Sequence, residues 1–395
     1  SWMHPDYANA TYDDDGNPAT AQLAWPEVYK RYATDTRRID DAVGDILQLL
    51  RDLKIDENTM VVFTSDNGPS KESYITNEPI DPTFFKSYGP FDGIKRDCLE
   101  GGVRMPTLAL WPGNIPAGNH IETPSISYDW MPTFAQMAGL PAPAISDGVS
   151  LLPSLLGKGT QAESNIYIEY FQPGKTPDYA DFIPEHQGRA RNQMQMVRIE
   201  NYVGLRYDIK SHNDPFEIYD VLKDPQQTQN LAKDPKLASL QQKMKDKVLG
   251  SRIPNSTALR PYDDVPVPSI PEGEMKSGIQ WKAFKGDFPW VPEVATLYQF
   301  ETGKVDQLNG VINVGNGSGA MFFEGYIRVP SDGDYTFYVS ANSGAFLRIH
   351  DAAVRRENLP WNWNGVAQGR KGKPFRQVYS FSQKNSIGIQ YNLGS

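Results

Sequence analysis

Cysteine is almost missing: Cys98 is the one thiol in 395 residues. That excludes an internal disulfide framework and any cluster of thiolate metal ligands. Histidine is scarce too, and His4, His120, His186, His212 and His350 fall at no metal-ligand spacing. With no HExxH, GxSxG or phosphate-loop pattern, zinc and serine-triad chemistries are disfavoured. Positive charge is in deficit, 39 Lys and Arg against 48 Asp and Glu for a net charge of −9. Such a balance repels a polyphosphate backbone, so no nucleic-acid partner is expected. No apolar run reaches the ~18 residues that a membrane-spanning helix needs, so none is expected. The chain starts at Ser1 rather than Met and no signal-like stretch follows, which makes a fragment without its natural N-terminus the expectation.

The remainder is ordinary globular composition, 22% charged and 39% apolar, long enough at ~150 residues per domain for two or three domains. Residues 1–26 are polar and turn-rich. From Tyr29 to Leu53, Ile39, Val43, Ile46, Leu50 and Leu53 recur at spacings of three and four, which predicts an amphipathic helix. Met60–Thr64 reads as a buried strand that breaks at Asp66-Asn67-Gly68-Pro69, and Thr107–Trp111 reads as another. The segment SISYDWMPTFAQMAGL predicts a helix of about three turns closed by Gly139. Between Tyr167 and Leu231 short alternating runs (NIYIEYF, QMQMVRIE, NYVGLRYD, PFEIYDV) predict a small antiparallel sheet, and ASLQQKMKDKVLG a terminal helix. A Pro-rich, acidic linker follows. After residue 276, runs such as GYIRVP, GDYTFYVS and GAFLRIHD suggest a β-sandwich; the basic tail from Arg355 loses that alternation.

Two places could carry chemistry. Asp66 and Asn67 stand beyond the carboxyl end of a strand, where ligands gather in α/β sheets, and their oxygens supply two of the six to eight that Ca²⁺ takes. The same four residues also make a good turn. In GPFDGIKRDCLEGGVRMP, residues 89–106, Lys95 lies between Gly93 and Gly101-Gly102. A glycine-flanked lysine can present a point charge to an anion, or simply be solvated. Cys98 could be a nucleophile or a small buried apolar residue.

The order of segments is more telling: RRIDDAVGDILQLLRDL, VVFTSDNGP, GIKRDCLEGGVRMPTLALWPG, YDWMPTFAQMAG, DGVSLLPSLLG and FEIYDVLKDPQQTQNLA. Over roughly residues 27 to 250 this resembles the C-terminal half of the formylglycine-dependent (type I) sulfatases, of the alkaline phosphatase superfamily. The resemblance implies an α/β fold, a partial alkaline-phosphatase-like core with a small antiparallel C-terminal sheet. It also implies sulfate-ester hydrolysis, with Asp66 and Asn67 binding Ca²⁺ and Lys95 contacting the substrate sulfate. The family's nucleophile arises from Cys or Ser in a Cys/Ser-x-Pro-x-Arg motif, and these 395 residues contain no such motif. The family's N-terminal acidic pair and its middle histidine and lysine are not found either, so the chain alone is expected to be inactive and to need the missing N-terminal half of the catalytic domain. Leu99 stands where the family has an aromatic residue.

Residues from about 276 resemble a protective-antigen-type β-sandwich, a module often appended to carbohydrate-active enzymes. The expected organisation is therefore 1–160, part of the sulfatase α/β domain; 161–252, a small α+β subdomain; 253–275, a linker; and 276–395, an all-β sandwich holding carbohydrate. Expected partners are a sulfated small molecule or polysaccharide, and the resemblance implies a periplasmic or secreted setting. The rivals are a phosphate or phosphonate ester hydrolase of the same superfamily and a non-catalytic glycan-binding protein.

Overall fold

The computed structural model describes residues 2–72, 79–252, 260–262, 277–295, 297–307, 318–328, 333–339, 345–349, 352–353, 375–381 and 386–394. Most of the expected linker and residues 354–374 of the basic tail lie outside the described residues. The chain divides into two compact units. The first comprises Ser1–His120, Gly174–Ala190 and Pro225–Gln227; the second holds the remainder.

Unit one opens with α1 (Pro5–Ala8), where Pro5 fits the donor-free first position and His4 Nδ1 accepts from the Asp6 N–H at 3.2 Å. The expected loop over 1–26 also contains a short antiparallel pair, β1 (Thr11–Tyr12) with β2 (Leu23–Ala24). Then comes α2 (Glu27–Asp52), the 26-residue helix that the spacing predicts. Glu27 in its first turn and Arg51 in its last complement the helix dipole, and Glu27 pairs with Arg31 one turn on at 2.8 Å. Near its start, the Tyr29 and Phe84 rings stack at 3.9 Å between centroids, and Trp25 packs edge-on against Phe84 and Phe85. Beyond that cluster one side of the apolar stripe is bare: Ile39, Ile46, Leu49 and Leu53 are more than half exposed, while Val43 and Leu50 are half-buried.

Strand β3 (Val61–Thr64) pairs antiparallel with β4 (Thr107–Leu110), in register Val61↔Leu110 through Thr64↔Thr107. Here the expectation of a buried strand is corrected. Phe63, Leu108 and Leu110 are exposed while Val61 and Val62 are half-buried, because among the described residues this sheet has two strands. An apolar run records fitness for burial, whereas burial itself needs a partner surface.

In unit two, the helix expected over 125–140 is a short turn at Ser127–Asp129 leading into α4 (Trp130–Met137). Gly139 follows with φ 72°, the left-handed cap the sequence suggests. The buried Asp129 carboxylate ties this region together, accepting from the Val149 N–H at 2.9 Å and the Ser164 hydroxyl at 2.6 Å. After α5 (Leu152–Leu156) come β5 (Tyr167–Lys175), β6 (Ala190–Ile199), β7 (Tyr202–Arg206) and β8 (Glu217–Asp220), a sheet of order β5-β6-β7-β8. The β6–β7 and β7–β8 pairs are antiparallel. Helix α6 (Ala238–Ser251) packs on it through Leu240, Met244 and Val248, which share a core with Val197, Phe216, Ile218 and Tyr262. Gly204 makes that approach possible: a Cβ there would lie 2.3 Å from Met244 Sδ.

The C-terminal strands are β9 (Ile279–Lys285), β10 (Gln299–Val305), β11 (Gly319–Arg328), β12 (Gly333–Val339), β13 (Ala345–Ile349), β14 (Ala352–Ala353), β15 (Phe375–Phe381) and β16 (Ser386–Gly394). They form a six-stranded sheet of order β10-β9-β11-β16-β13-β14 and a separate β12–β15 pair, all antiparallel. The tail, which lost its alternation in the sequence, thus contributes two strands: β16 enters the sheet between β11 and β13, and β15 pairs with β12.

Candidate functional site

Within unit one the structure joins the two segments singled out by the sequence. At the end of β3, the Thr64 hydroxyl lies 2.8 Å from that of Thr107 and donates to the Pro106 carbonyl at 3.2 Å, fixing the exit of the strand. The turn Asp66-Asn67-Gly68-Pro69 follows, with Asp66 exposed and Asn67 half-buried. Two backbone hydrogen bonds attach it to the lysine loop: Gly68 N–H to the Gly102 carbonyl at 2.9 Å, and Lys95 N–H to the Pro69 carbonyl at 2.8 Å. The second bond involves Lys95 itself, so the turn and the lysine share one frame.

The lysine loop is shaped by its glycines and by Asp97. Gly93 has φ 93°, a conformation open to a residue without Cβ. Asp97 Oδ2 accepts from the Ile94 N–H at 3.0 Å and its N–H returns to the Ile94 carbonyl at 2.9 Å, closing a turn around Lys95 and Arg96. Its other oxygen accepts from the Thr176 hydroxyl at 2.7 Å. Glu100, Gly101 and Gly102 then form α3 (Glu100–Val103), and all three are buried. A Cβ at Gly101 would stand 2.4 Å from the Gly93 carbonyl oxygen, and one at Gly102 the same distance from that of Asp97. The paired glycines are therefore explained by backbone packing. Buried Glu100 is neutralised by Arg104, which donates to its carboxylate.

Lys95 is half-buried and Arg96 exposed. Neither Asp66 nor Lys95 makes an ion pair among the described residues. Cys98 lies in the core of the loop, and burial pushes its thiol up to about 12, far from the reactive thiolate range. The bland reading of Cys98 holds. The Asp66 carboxylate and the Asn67 amide are hard oxygen donors, which fit an alkaline-earth cation and not a thiophilic metal.

Sequence reasoning missed the residues that hold this loop from behind. Buried Asp92 accepts from the Ile183 N–H at 2.9 Å and the Gln226 amide at 2.9 Å, and pairs with His186 Nδ1 at 2.8 Å. Gln227 Oε1 accepts from the Glu100 N–H at 2.9 Å. An isolated histidine and two glutamines in PQQTQN carry no readable pattern, and their partners lie some 90 to 130 positions away.

Comparison with known proteins gives the class. Residues 2–140 match the family model described as Sulfatase, and residues 87–253 match that described as N-sulphoglucosamine sulphohydrolase, C-terminal. The two matches overlap at residues 87–140 and together span residues 2–253, so the similarity to sulfatases covers that part of the chain. The chain is 44% identical over 129 residues to N-acetylgalactosamine-6-sulfatase of Canis lupus familiaris, covering 32% of this chain and 23% of that protein. It is 33% identical over 207 residues to arylsulfatase A of Homo sapiens, covering 49% and 37%. The chain thus spans 23% to 37% of these relatives' length. Among solved structures, a protein in complex with its substrate D-glucosamine-2-N,6-O-disulfate gives a TM-score of 0.38 at 21% identity, over 54% of this chain and 38% of that one.

Proposed function

We propose that this chain supplies the cation-binding and sulfate-binding part of a sulfate-ester hydrolase site. Asp66 and Asn67 act as ligands of Ca²⁺, and Lys95 binds the sulfate group. The observation that carries the reading is the direct bond from the Lys95 N–H to the Pro69 carbonyl, which holds the lysine and the Asp66-Asn67 pair in register. When bound, the cation would neutralise charge on the sulfate oxygens. Lys95 contributes a fixed ammonium donor toward the charge that grows there in the transition state, a preorganised interaction whose removal costs about 10²-fold or more in rate. Arg96, exposed and in a left-handed conformation, has no part in this.

The attacking group, the formylglycine of the family, would come from outside these 395 residues, since no Cys/Ser-x-Pro-x-Arg motif is among them. Supporting the sulfated-carbohydrate branch of the reading are the sulfated-sugar relatives and the C-terminal strands. The latter we assign to a sandwich module that holds polysaccharide, in a periplasmic or secreted enzyme.

Metal analysis and activity test the reading together. The chain should retain Ca²⁺ on dialysis, lose it as Asp66→Ala and lose part of it as Asn67→Ala. It should not hydrolyse an aryl sulfate until combined with a sulfatase segment bearing the nucleophile motif, and Lys95→Ala should then lower the rate by about 10²-fold while Lys95→Arg rescues poorly. Unchanged metal content in both variants, or near-normal rate in Lys95→Ala with loss in Arg96→Ala, overturns it.

A further inference from the structure

Two adjacent glutamines hold the two ends of the segment that carries Lys95. Gln226 Nε2 donates to Asp92 Oδ1 at one end, and Gln227 Oε1 accepts from the Glu100 N–H at the other, each at 2.9 Å. All four residues belong to unit one. Gln227 is fully buried, its φ is 61°, and its Nε2 has no hydrogen-bond partner among the described residues. A left-handed backbone at a residue with Cβ and a buried donor left unsatisfied are both unfavourable. Such features persist where the surroundings over-determine them, and they cluster where geometry serves function.

What Gln227 gains is the bond to the first N–H of α3, a donor without an acceptor inside its own helix. The Gly102 carbonyl of α3 receives the Gly68 N–H, so the position of α3 is transmitted to the Asp66-Asn67 turn and Lys95 alike. The Asp92 end is secured redundantly, by the Ile183 N–H and His186 besides Gln226. At the Glu100 end the next N–H, that of Gly101, goes to the Asp92 carbonyl at 2.9 Å, and the Glu100 N–H itself has Gln227 as its acceptor.

We propose that Gln227 is a positioning residue: by capping α3 it sets the place of the Lys95 ammonium relative to the cation turn, and so governs anion binding at that lysine. This rests on the reading of Lys95 given above. The test uses the 395-residue chain with Gln227→Met, which keeps length without an acceptor, and Gln226→Met, which removes one of the several donors at the Asp92 end. Two quantities are read: amide hydrogen exchange across residues 93–103, and protection of the Lys95 amine from reductive methylation by inorganic sulfate with Ca²⁺ present. Gln227→Met should raise exchange in the loop about tenfold, as expected for loss of a buried hydrogen bond that closes a local unit. It should leave β6–β8 protected and abolish the sulfate effect, whereas Gln226→Met should leave loop exchange and the sulfate effect near those of the unaltered chain. Loop exchange in Gln227→Met within about twofold of the unaltered chain, or Gln226→Met behaving as Gln227→Met, overturns the positioning role. So does loss of protection throughout β6–β8, which would make Gln227 a general support of the fold. Sulfate that fails to protect Lys95 in the unaltered chain overturns the reading of Lys95 and this proposal with it.

Discussion

The α-carbon of Gly68 stands so close to Gly101 that a Cβ on it would lie 1.9 Å from the Gly101 carbonyl oxygen. Both partners are backbone, so neither can swing aside. The third residue of Asp66-Asn67-Gly68-Pro69 is therefore glycine because the turn is pressed against α3.

Gly68→Ala should accordingly destabilise the chain by about 1–3 kcal/mol, the range for forcing an extra methyl into a packed site, and should lower Ca²⁺ retention because Asp66 and Asn67 move with the turn. Urea unfolding and metal analysis check this together. Full stability with full Ca²⁺ would show that the turn can lift off the loop without consequence.

A pH dependence follows from Glu169 in unit two. Burial raises its carboxyl, but the Tyr167 hydroxyl and the Arg252 guanidinium, whose Nε lies 3.1 Å away, outweigh burial and leave it below the usual value of 4.5. A carboxyl lowered in the folded state adds stability that is fully present above 4.5 and is lost as pH falls through the folded value. Glu169→Gln should therefore cost about 1–3 kcal/mol at pH 7, with the difference shrinking toward pH 3. Urea unfolding at the two pH values decides; a difference that grows on acidification would contradict the assignment.

The bare stripe of α2 makes the opposite prediction. Because Ile39 and Ile46 are each 53% exposed, Ile39→Lys and Ile46→Lys should change unfolding free energy by no more than about 0.5 kcal/mol, while reducing binding of an apolar dye. A loss of about 2 kcal/mol or more, the scale of a core truncation, would mean that the stripe is packed in solution.

Periodicity was enough to read α2, α6 and β6 to β8, since side-chain spacing reports secondary structure directly. It could not show that Ile46 and Phe63 are exposed, because exposure depends on what lies opposite. Asp66, Asn67 and Lys95 are singled out by the order of their surrounding motifs, while the bonds that join their segments are backbone bonds that no side-chain pattern records. Gln227 was illegible for a related reason: its role comes from its conformation and from a partner 127 positions away. The closing strands were hidden because β15 pairs with β12, from Gly333↔Phe381 to Val339↔Phe375, across an intervening stretch whose basic composition masks alternation.

The β3–β4 pair, four residues on each side, is too short to persist by its own ladder, since an isolated two-stranded ribbon is marginal in water. Its order is borrowed from the ends, where the Thr64 clasp and the Gly68–Gly102 bond fasten it to a buried loop. In an ordinary α/β sheet the strands are the anvil and the loops are mounted on it. Among the described residues the dependence runs the other way: the strands are fastened to the buried loop, so melting it should release them.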